Sequence, residues 1–328
     1  MTAGFNYPEK MFARLLLAAC LIGTTTLSIA QSYPSRPITL IVPFAAGGSI
    51  DVVARQIAGS LSSIIGQSVI VDNKVGAGGT IGTGLAARAA ADGYTMLLGT
   101  TSALGVSSAM YKNLPYDPIK SFVPVIEVTR GPFVLTVRNS LPVHNVAEFL
   151  DHARKNRGKL NFGSAGIGSV HHLAAEILKQ ATSIDMVHVP YKGSGPAYRA
   201  MISGEVDLLF GSMPGPVLYP GRVRPIAVAG PKRLPGLPDV PTFAEEGVPG
   251  VEAVFFWAML VPAGTPADIV AKLNSALGQA LRNPALQADF AKQSMDATPG
   301  TSAEIAAFMA REIPRWHKLV QSVGIKAE

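Results

Sequence analysis

Two glycine-rich turns carry the chemistry that this 328-residue sequence offers most plainly. Pro43-Phe44-Ala45-Ala46-Gly47-Gly48-Ser49 follows the β-branched apolar run Ile38 to Val42 and precedes a helical pattern. Gly163-Ser164-Ala165-Gly166-Ile167-Gly168-Ser169 stands in the same relation to Leu160-Asn161-Phe162 and to the helix after it. A turn from strand to helix presents unpaired backbone N–H groups at a positive dipole end, and glycine removes the Cβ that would hold a ligand away. Each turn is therefore a ready anion site. Repeated in both halves of the chain, the two can face each other across a cleft and grip one carboxylate from both sides. Taken singly, each also fits the plain role of a tight connection.

Rival readings of the glycines fail on single residues. Gly163 to Gly168 has the Gly-x-x-x-x-Gly spacing of a phosphate loop, but Ser169 stands where Lys is required. Gly76-Ala77-Gly78 would need glycine at 81 for a dinucleotide fingerprint, and Ile81 is there. A hydrolase elbow at Ser164 has its second glycine, Gly166, but Phe162 fills the first position. A metal reading would rest on His171, His172 and Asp51. Adjacent histidines on a helix point about 100° apart and do not chelate together. Neither a metal nor any other cofactor is expected. His171 reads as facing its own lobe. His172, off the apolar stripe and close to the turn, either packs locally or reaches the cleft as a donor to an anion.

The elements that must position these turns alternate. Strands at Ile38 to Val42, Val69 to Val71 and Thr95 to Gly99 are separated by helical patterns, one with Val53, Ile57, Leu61 and Ile64 on a face. Such alternation means parallel βαβ units. The pattern restarts at Phe133 to Val137, with further strands at Leu160 to Phe162, Met186 to Val189, Val206 to Phe210 and Pro225 to Ala229. The helix after the second glycine turn carries Val170, Leu173, Ala174, Ile177 and Leu178 at helical spacing. This predicts an α/β architecture of two lobes, 31–130 with 229–328 and an inserted 131–228, after a signal peptide at 1–30. Beyond the Pro-rich stretch Pro231 to Pro249 the chain is expected to return to helices, the last of them kinked at Pro314.

Composition narrows the function. With 28 basic and 22 acidic side chains scattered along the chain, there is no clustered stripe of the kind nucleic acid demands. Lys10 and Arg14 precede the apolar run Leu15 to Ile22, and Ser28-Ile29-Ala30 before Gln31 supplies a small-x-small cleavage site. That is a cleaved secretory signal. Leu17-Ala18-Ala19-Cys20 also fits a lipoprotein box, the less favoured route because its apolar stretch is short. Cleavage after Ala30 removes the only cysteine. The expected mature protein is exported, soluble and free of thiols.

An ordered set of stretches resembles one known family. Pro43-Phe44-x-x-Gly47-Gly48-x-x-Asp51 looks like the first loop of the tripartite tricarboxylate transporter receptors, the Bordetella uptake family. In the same order follow Asp72-Asn73-Lys74-x-Gly76-Ala77-Gly78-Gly79, the second glycine turn with His172-Leu173, Val189-Pro190-Tyr191-Lys192-Gly193 and Gly204-x-Val206-Asp207. Leu237 to Thr242 and Pro262 to Pro266 complete it. The resemblance implies a periplasmic receptor with a two-lobed, hinge-closing (Venus flytrap, type II) fold. It implies binding of a small carboxylate-bearing acid and delivery to the membrane subunits of a tripartite transporter, with no catalysis.

Carried over by position, Phe44, Ala46, Gly47, Gly48, Ser49 and Asp51 would form the first binding loop. Ser164, Ala165, Gly166, Gly168, Ser169 and His172 would form the second. Tyr191, Lys192, Gly193 and Asp207 would line the second lobe's wall, and Thr100 and Thr101 the first's. For Asp51 and Asp207, stabilising a helix turn or packing is a competing role. Gly211 to Pro216 and Phe255-Phe256-Trp257 depart from the family pattern, so Met213 and Trp257 are candidates to shape the distal pocket. The ligand stays open among di- and tricarboxylates, amino acids and aromatic acids. The protein is expected to act as a monomer. A secreted serine hydrolase using Ser164 or Ser169, or a sensing subunit for a signalling partner, are the alternatives.

Overall fold

The structure, a computed structural model, describes residue 1 and residues 33–212 and 219–325. The predicted signal segment with Cys20, and Met213, lie outside the described residues. The chain divides into Met1–Ser35 and Arg36–Glu328, and all sheets and the cleft belong to the latter.

Parallel strands β1 (Ile38–Val42), β2 (Val69–Asn73) and β3 (Thr95–Thr100) open the first sheet in the order β2-β1-β3. Their residues are branched and apolar because helices cover both faces, as parallel sheets require. Next in space comes β9 (Val254–Pro262), antiparallel to β3, and then β4 (Phe122–Arg138), antiparallel to β9. Strand β4 is 17 residues long, far beyond the common length, and register shifts bend it between Pro124 and Ile126 and between Glu127 and Thr129. Its last stretch leaves the first sheet and enters the second. There Phe133 to Val137 pair with β7 (Leu208–Ser212) and β8 (Val223–Ala229), while β5 (Asn161–Ser164) and β6 (Val187–Pro190) extend the sheet in parallel beyond β7. The protein is thus a two-lobed α/β fold, and β4 with β9 carries the chain between the lobes.

The helices that matter to the cleft start at glycine turns. They are α1 (Ser49–Ile65), α2 (Thr80–Ala87), α4 (Val170–Thr182) and α5 (Ser194–Ser203), with α3 (Val146–Lys155) on the second lobe's outside. Val53, Ile57 and Leu61 of α1 are fully buried, whereas Ile64 is exposed at its last turn. Helices α6 (Ala267–Leu281), α7 (Pro284–Lys292) and α8 (Ser302–Val323) finish the chain. A capping box at Thr301 and Glu304 starts α8, which runs on through Pro314 to Val323.

The sequence reading missed β9 and the first half of β4. Residues 255–262 of β9 are all buried, so no polar alternation marks them as strand, and a helix fits the same apolar run. Phe256 sits at the centre of the first lobe's core, with Leu97, Leu260, Ile305 and Met309. Phe256→Ala should therefore lower stability by about 3–5 kcal/mol, seen as a lower urea midpoint with an unchanged far-UV CD spectrum before the transition.

Candidate functional site

The turn after β1 is held from behind by Asp51. Its carboxylate accepts from the Gly47 N–H (3.0 Å), from Arg55 Nε (3.0 Å) and from Asn73 Nδ2 (2.9 Å), and Asn73 Nδ2 also donates to the Phe44 carbonyl (2.9 Å). Burial opposes the charge, but the bonds from Arg55, Gly47 and Asn73 outweigh it and hold the carboxyl below its usual range. Asp51 is a positioning residue whose acceptor capacity is spent on its own lobe. Gly47 has φ +79°, a conformation that side chains resist. Gly48, the residue before α1, offers no side chain to cap the helix, so first-turn amides are left for groups entering the cleft.

The turn after β5 is built differently. Ser164 Oγ accepts from the Gly166 N–H (3.0 Å) and lies 2.6 Å from His188 Nε2. Ser169 caps α4 by accepting from the His172 N–H (3.3 Å), and its hydroxyl donates to the Gly166 carbonyl (2.7 Å). His172 is stacked face to face on His188 (3.9 Å), which in turn stacks on Phe162 (4.8 Å), all within the second lobe. The histidine that lines the cleft is His171, set edge-on against Phe133 at 4.8 Å. The sequence expectation for the two is thus reversed. A rotation of about 100° between neighbours separates them, turning His172 onto His188 and His171 onto Phe133.

Across the cleft the two glycine turns do not grip each other; each closes on a different segment of the opposite lobe. From the first turn, the Ala45 N–H donates to the Lys192 carbonyl (2.9 Å), the Ser49 N–H to Ser194 Oγ (3.4 Å), and Ser49 Oγ to the Ser212 carbonyl (3.3 Å). Opposite the second turn, Ser107 Oγ donates to the Gly168 carbonyl (3.0 Å), and Ser102 Oγ accepts from the Val170 N–H (3.1 Å). Backbones touch here. A Cβ on Gly195 would lie 2.8 Å from the Gly48 nitrogen, and one on Gly78 2.5 Å from the Ile167 oxygen.

Between these contacts lies a cavity lined by Phe44, Ile50, Thr100, Thr101, Ser102, Phe133, Ala165, His171, Ser194, Ser212, Phe255 and Trp257. Its volume is about 20 Å³, room for one water molecule, so a solute gains access only when the lobes part. Phe44, Thr100, Thr101 and Ala165 of the predicted set line it directly, and Trp257, singled out for its aromatic neighbours, does too. Others act through the main chain. Tyr191 sends its hydroxyl to Glu205 (2.7 Å) and Lys192 is exposed, so this segment contributes the Lys192 carbonyl and the close approach of Gly193 to Ala45.

Asp207 lies elsewhere. It accepts from Arg138 Nε (2.9 Å) and from the Asn161 N–H (2.8 Å), where β5 begins, the sheet edge opposite the glycine turns. Missed by the sequence reading were Ile50, Ser102, Phe133, Ser194, Ser212 and Phe255. The hydroxyls on the Ser102 turn and at the start of α5 follow strand-to-helix turns as the glycines do, which was the available signal. Among the described residues, no three His, Cys, Asp or Glu side chains converge as a metal site, and no helix is long and apolar enough to cross a membrane.

The family model described as tripartite tricarboxylate transporter family receptor matches residues 53–325. The chain belongs to this family. BugT of Bordetella pertussis (strain Tohama I) is 37% identical over 300 residues, which are 90% of this chain and 92% of BugT. The solved periplasmic binding protein BugD is 34% identical with a TM-score of 0.85, over 90% of this chain and all (100%) of that one. An R. palustris protein solved with adipate is 37% identical with a TM-score of 0.86, over 90% of this chain and 99% of that one. The receptor is accordingly a solute-binding protein of the periplasm.

Burial sets the receptor's response to acid. It pushes His171 down to about 3; it pushes His172 to about 4 and His188 to about 3, assisted for both by the nearby positive charge of Lys179. In the unfolded chain these imidazoles bind protons near pH 6.5, and in the folded protein they stay neutral. Stability from keeping them neutral is therefore complete above about pH 6.5 and is lost as pH falls toward 4. The melting temperature should drop steadily across that window, before the Asp51 carboxylate protonates. A flat profile from pH 7 to 4.5 would contradict the buried placement of all three.

Proposed function

We propose that the receptor captures a small organic acid through its carboxylate and passes it to the membrane subunits of a tripartite transporter, catalysing nothing itself. The observation that carries this reading is the convergence of the uncapped α1 N-terminus with the hydroxyls of Thr100, Ser102, Ser194 and Ser212 on one closed cleft. Removing a carboxylate from water is costly unless hydrogen bonds replace its hydration. Amides at a helix start and neutral hydroxyls supply such bonds without a countercharge. The neighbour solved with adipate supports an acid as the guest. Export by cleavage after Ala30 and action as a monomer belong to the same reading.

One contact favours a hydrolase, the 2.6 Å approach of Ser164 Oγ to His188 Nε2. Its surroundings argue against activation. Ser164 is fully buried, its hydroxyl already accepts from the Gly166 N–H, and burial leaves His188 too weak a base for work near neutral pH. Simple aryl and alkyl esters should show no turnover above background. Ser164→Ala should leave that zero rate unchanged while lowering stability by about 1 kcal/mol. Turnover abolished in that variant would establish the hydrolase instead.

Binding itself is read through tryptophan. Trp257 lines the cavity, whereas Trp316, on α8, packs against Gly105. Saturable fluorescence changes with mono-, di- or tricarboxylates should survive Trp316→Phe and vanish in Trp257→Phe. Gly195→Val, in a helical first turn that tolerates side chains, props the lobes apart by backbone contact with Gly47 and Gly48. It should weaken binding at least about tenfold with an unchanged CD spectrum. Gly168→Val is a poorer probe, because φ +77° there strains any side chain. If no carboxylate changes either fluorescence or melting temperature, the receptor reading falls.

A further inference from the structure

The walls of the cleft differ in chemistry. Hydroxyls and the α1 N-terminus gather on one part, while Phe133, Phe255 and Trp257 form a run of rings on β4 and β9. Phe133 meets Phe255 edge-on at 5.6 Å, and Phe255 meets Trp257 at 4.9 Å. Phe44 and Ile50 add apolar surface, and no Lys or Arg is among the described residues that line it. A second carboxylate in such a place would be buried against ring faces without a cation, at a cost of several kcal/mol. A single carboxylate has the amides and hydroxyls.

His171 supplies the remaining polar group. It is buried against Phe133, lines the cavity, and neither of its ring nitrogens has a hydrogen-bond partner among the described residues. Buried polar atoms are rarely left so. Burial keeps the ring neutral, so it presents one donor and one acceptor and no charge. A hydroxyl, which both gives and takes a hydrogen bond, suits whichever nitrogen faces the guest, whereas a carboxylate, which only accepts, suits the N–H alone.

We propose that the receptor selects an aromatic monocarboxylate carrying a ring hydroxyl, its ring against Phe133, Phe255 and Trp257 and its hydroxyl paired with His171. This rests on the receptor reading above and narrows it from organic acids in general to one class. The carboxylate is held at the α1 end and the ring lies along the strands that join the lobes. Rings offset-stacked or edge-on at such distances attract beyond the area they bury.

The test is isothermal titration calorimetry of the full mature protein with 3- and 4-hydroxybenzoate, benzoate, adipate, malate and citrate. At least one hydroxybenzoate should bind about tenfold or more tightly than benzoate, adipate, malate and citrate, the worth of one buried neutral hydrogen bond. His171→Phe should bring hydroxybenzoate and benzoate to parity, whereas His171→Gln, which keeps a donor and an acceptor, should retain the preference. Tighter binding of adipate, malate or citrate than of any aromatic acid overturns the class while leaving the receptor reading in place. A preference unchanged in a folded His171→Phe overturns the role of His171. Should His171→Phe fail to fold, a wild-type protein that does not distinguish hydroxybenzoate from benzoate overturns that role equally. No binding by any of the six acids overturns both readings.

Discussion

Everything in this receptor follows from main-chain surfaces that approach to contact distance across a cleft. Gly48 against Gly195, and Gly78 against Ile167 and Gly168, leave no space for a methyl group on the facing backbones. Such contact exposes amides and carbonyls to one another and keeps water out from between them. A low-dielectric enclosure strengthens each hydrogen bond made inside it. The same closeness explains why the residues there are glycine and serine, the smallest that still bring a backbone or a hydroxyl into reach.

The hinge strands give the cleft its second character. β4 and β9 pass from one lobe to the other, so side chains on them form part of the wall whether the lobes are near or apart. Phe133, Phe255 and Trp257 sit there, and the polar groups sit on turns that move with the lobes. The rings therefore keep their place on the joining strands, while the two sets of hydroxyls come together only on closure. The fixed wall and the closing contacts thus draw on different residues, a division that suits a hinged fold.

The sequence made the glycine turns, the βαβ alternation and the family legible, because each depends on local residue types. It did not show which histidine faces the cleft. Helix phase at Val170 decides that, and a shift of one residue exchanges His171 for His172. Asp207 sits in a stretch that resembles the family motif, yet its partners Arg138 and Asn161 lie 69 and 46 residues away, a pairing only the sheet brings about. β9 was hidden for the opposite reason. Buried on both faces, it has no alternation, and its pairing with β4 spans more than a hundred residues of chain. Ser102, Ser194 and Ser212 are single hydroxyls among many serines until three strands bring their ends to one place.

Closure also sets what a solute must do to be held. In the closed lobes the Ser49 N–H is given to Ser194 Oγ at 3.4 Å, a long bond between neutral groups. A carboxylate oxygen in that position would accept a charge-assisted bond, shorter and about twice as strong. The protein's own hydroxyl is thus a weaker partner for that amide than the carboxylate of the proposed guest. Closing on itself gains little, and closing on an acid gains more. Only that difference can shift the population of closed lobes, since a ligand moves an equilibrium by its differential affinity and nothing else. Under the proposed function, the contrast between a neutral and a charged acceptor at one helix N-terminus is what would separate a closed, loaded receptor from an empty one.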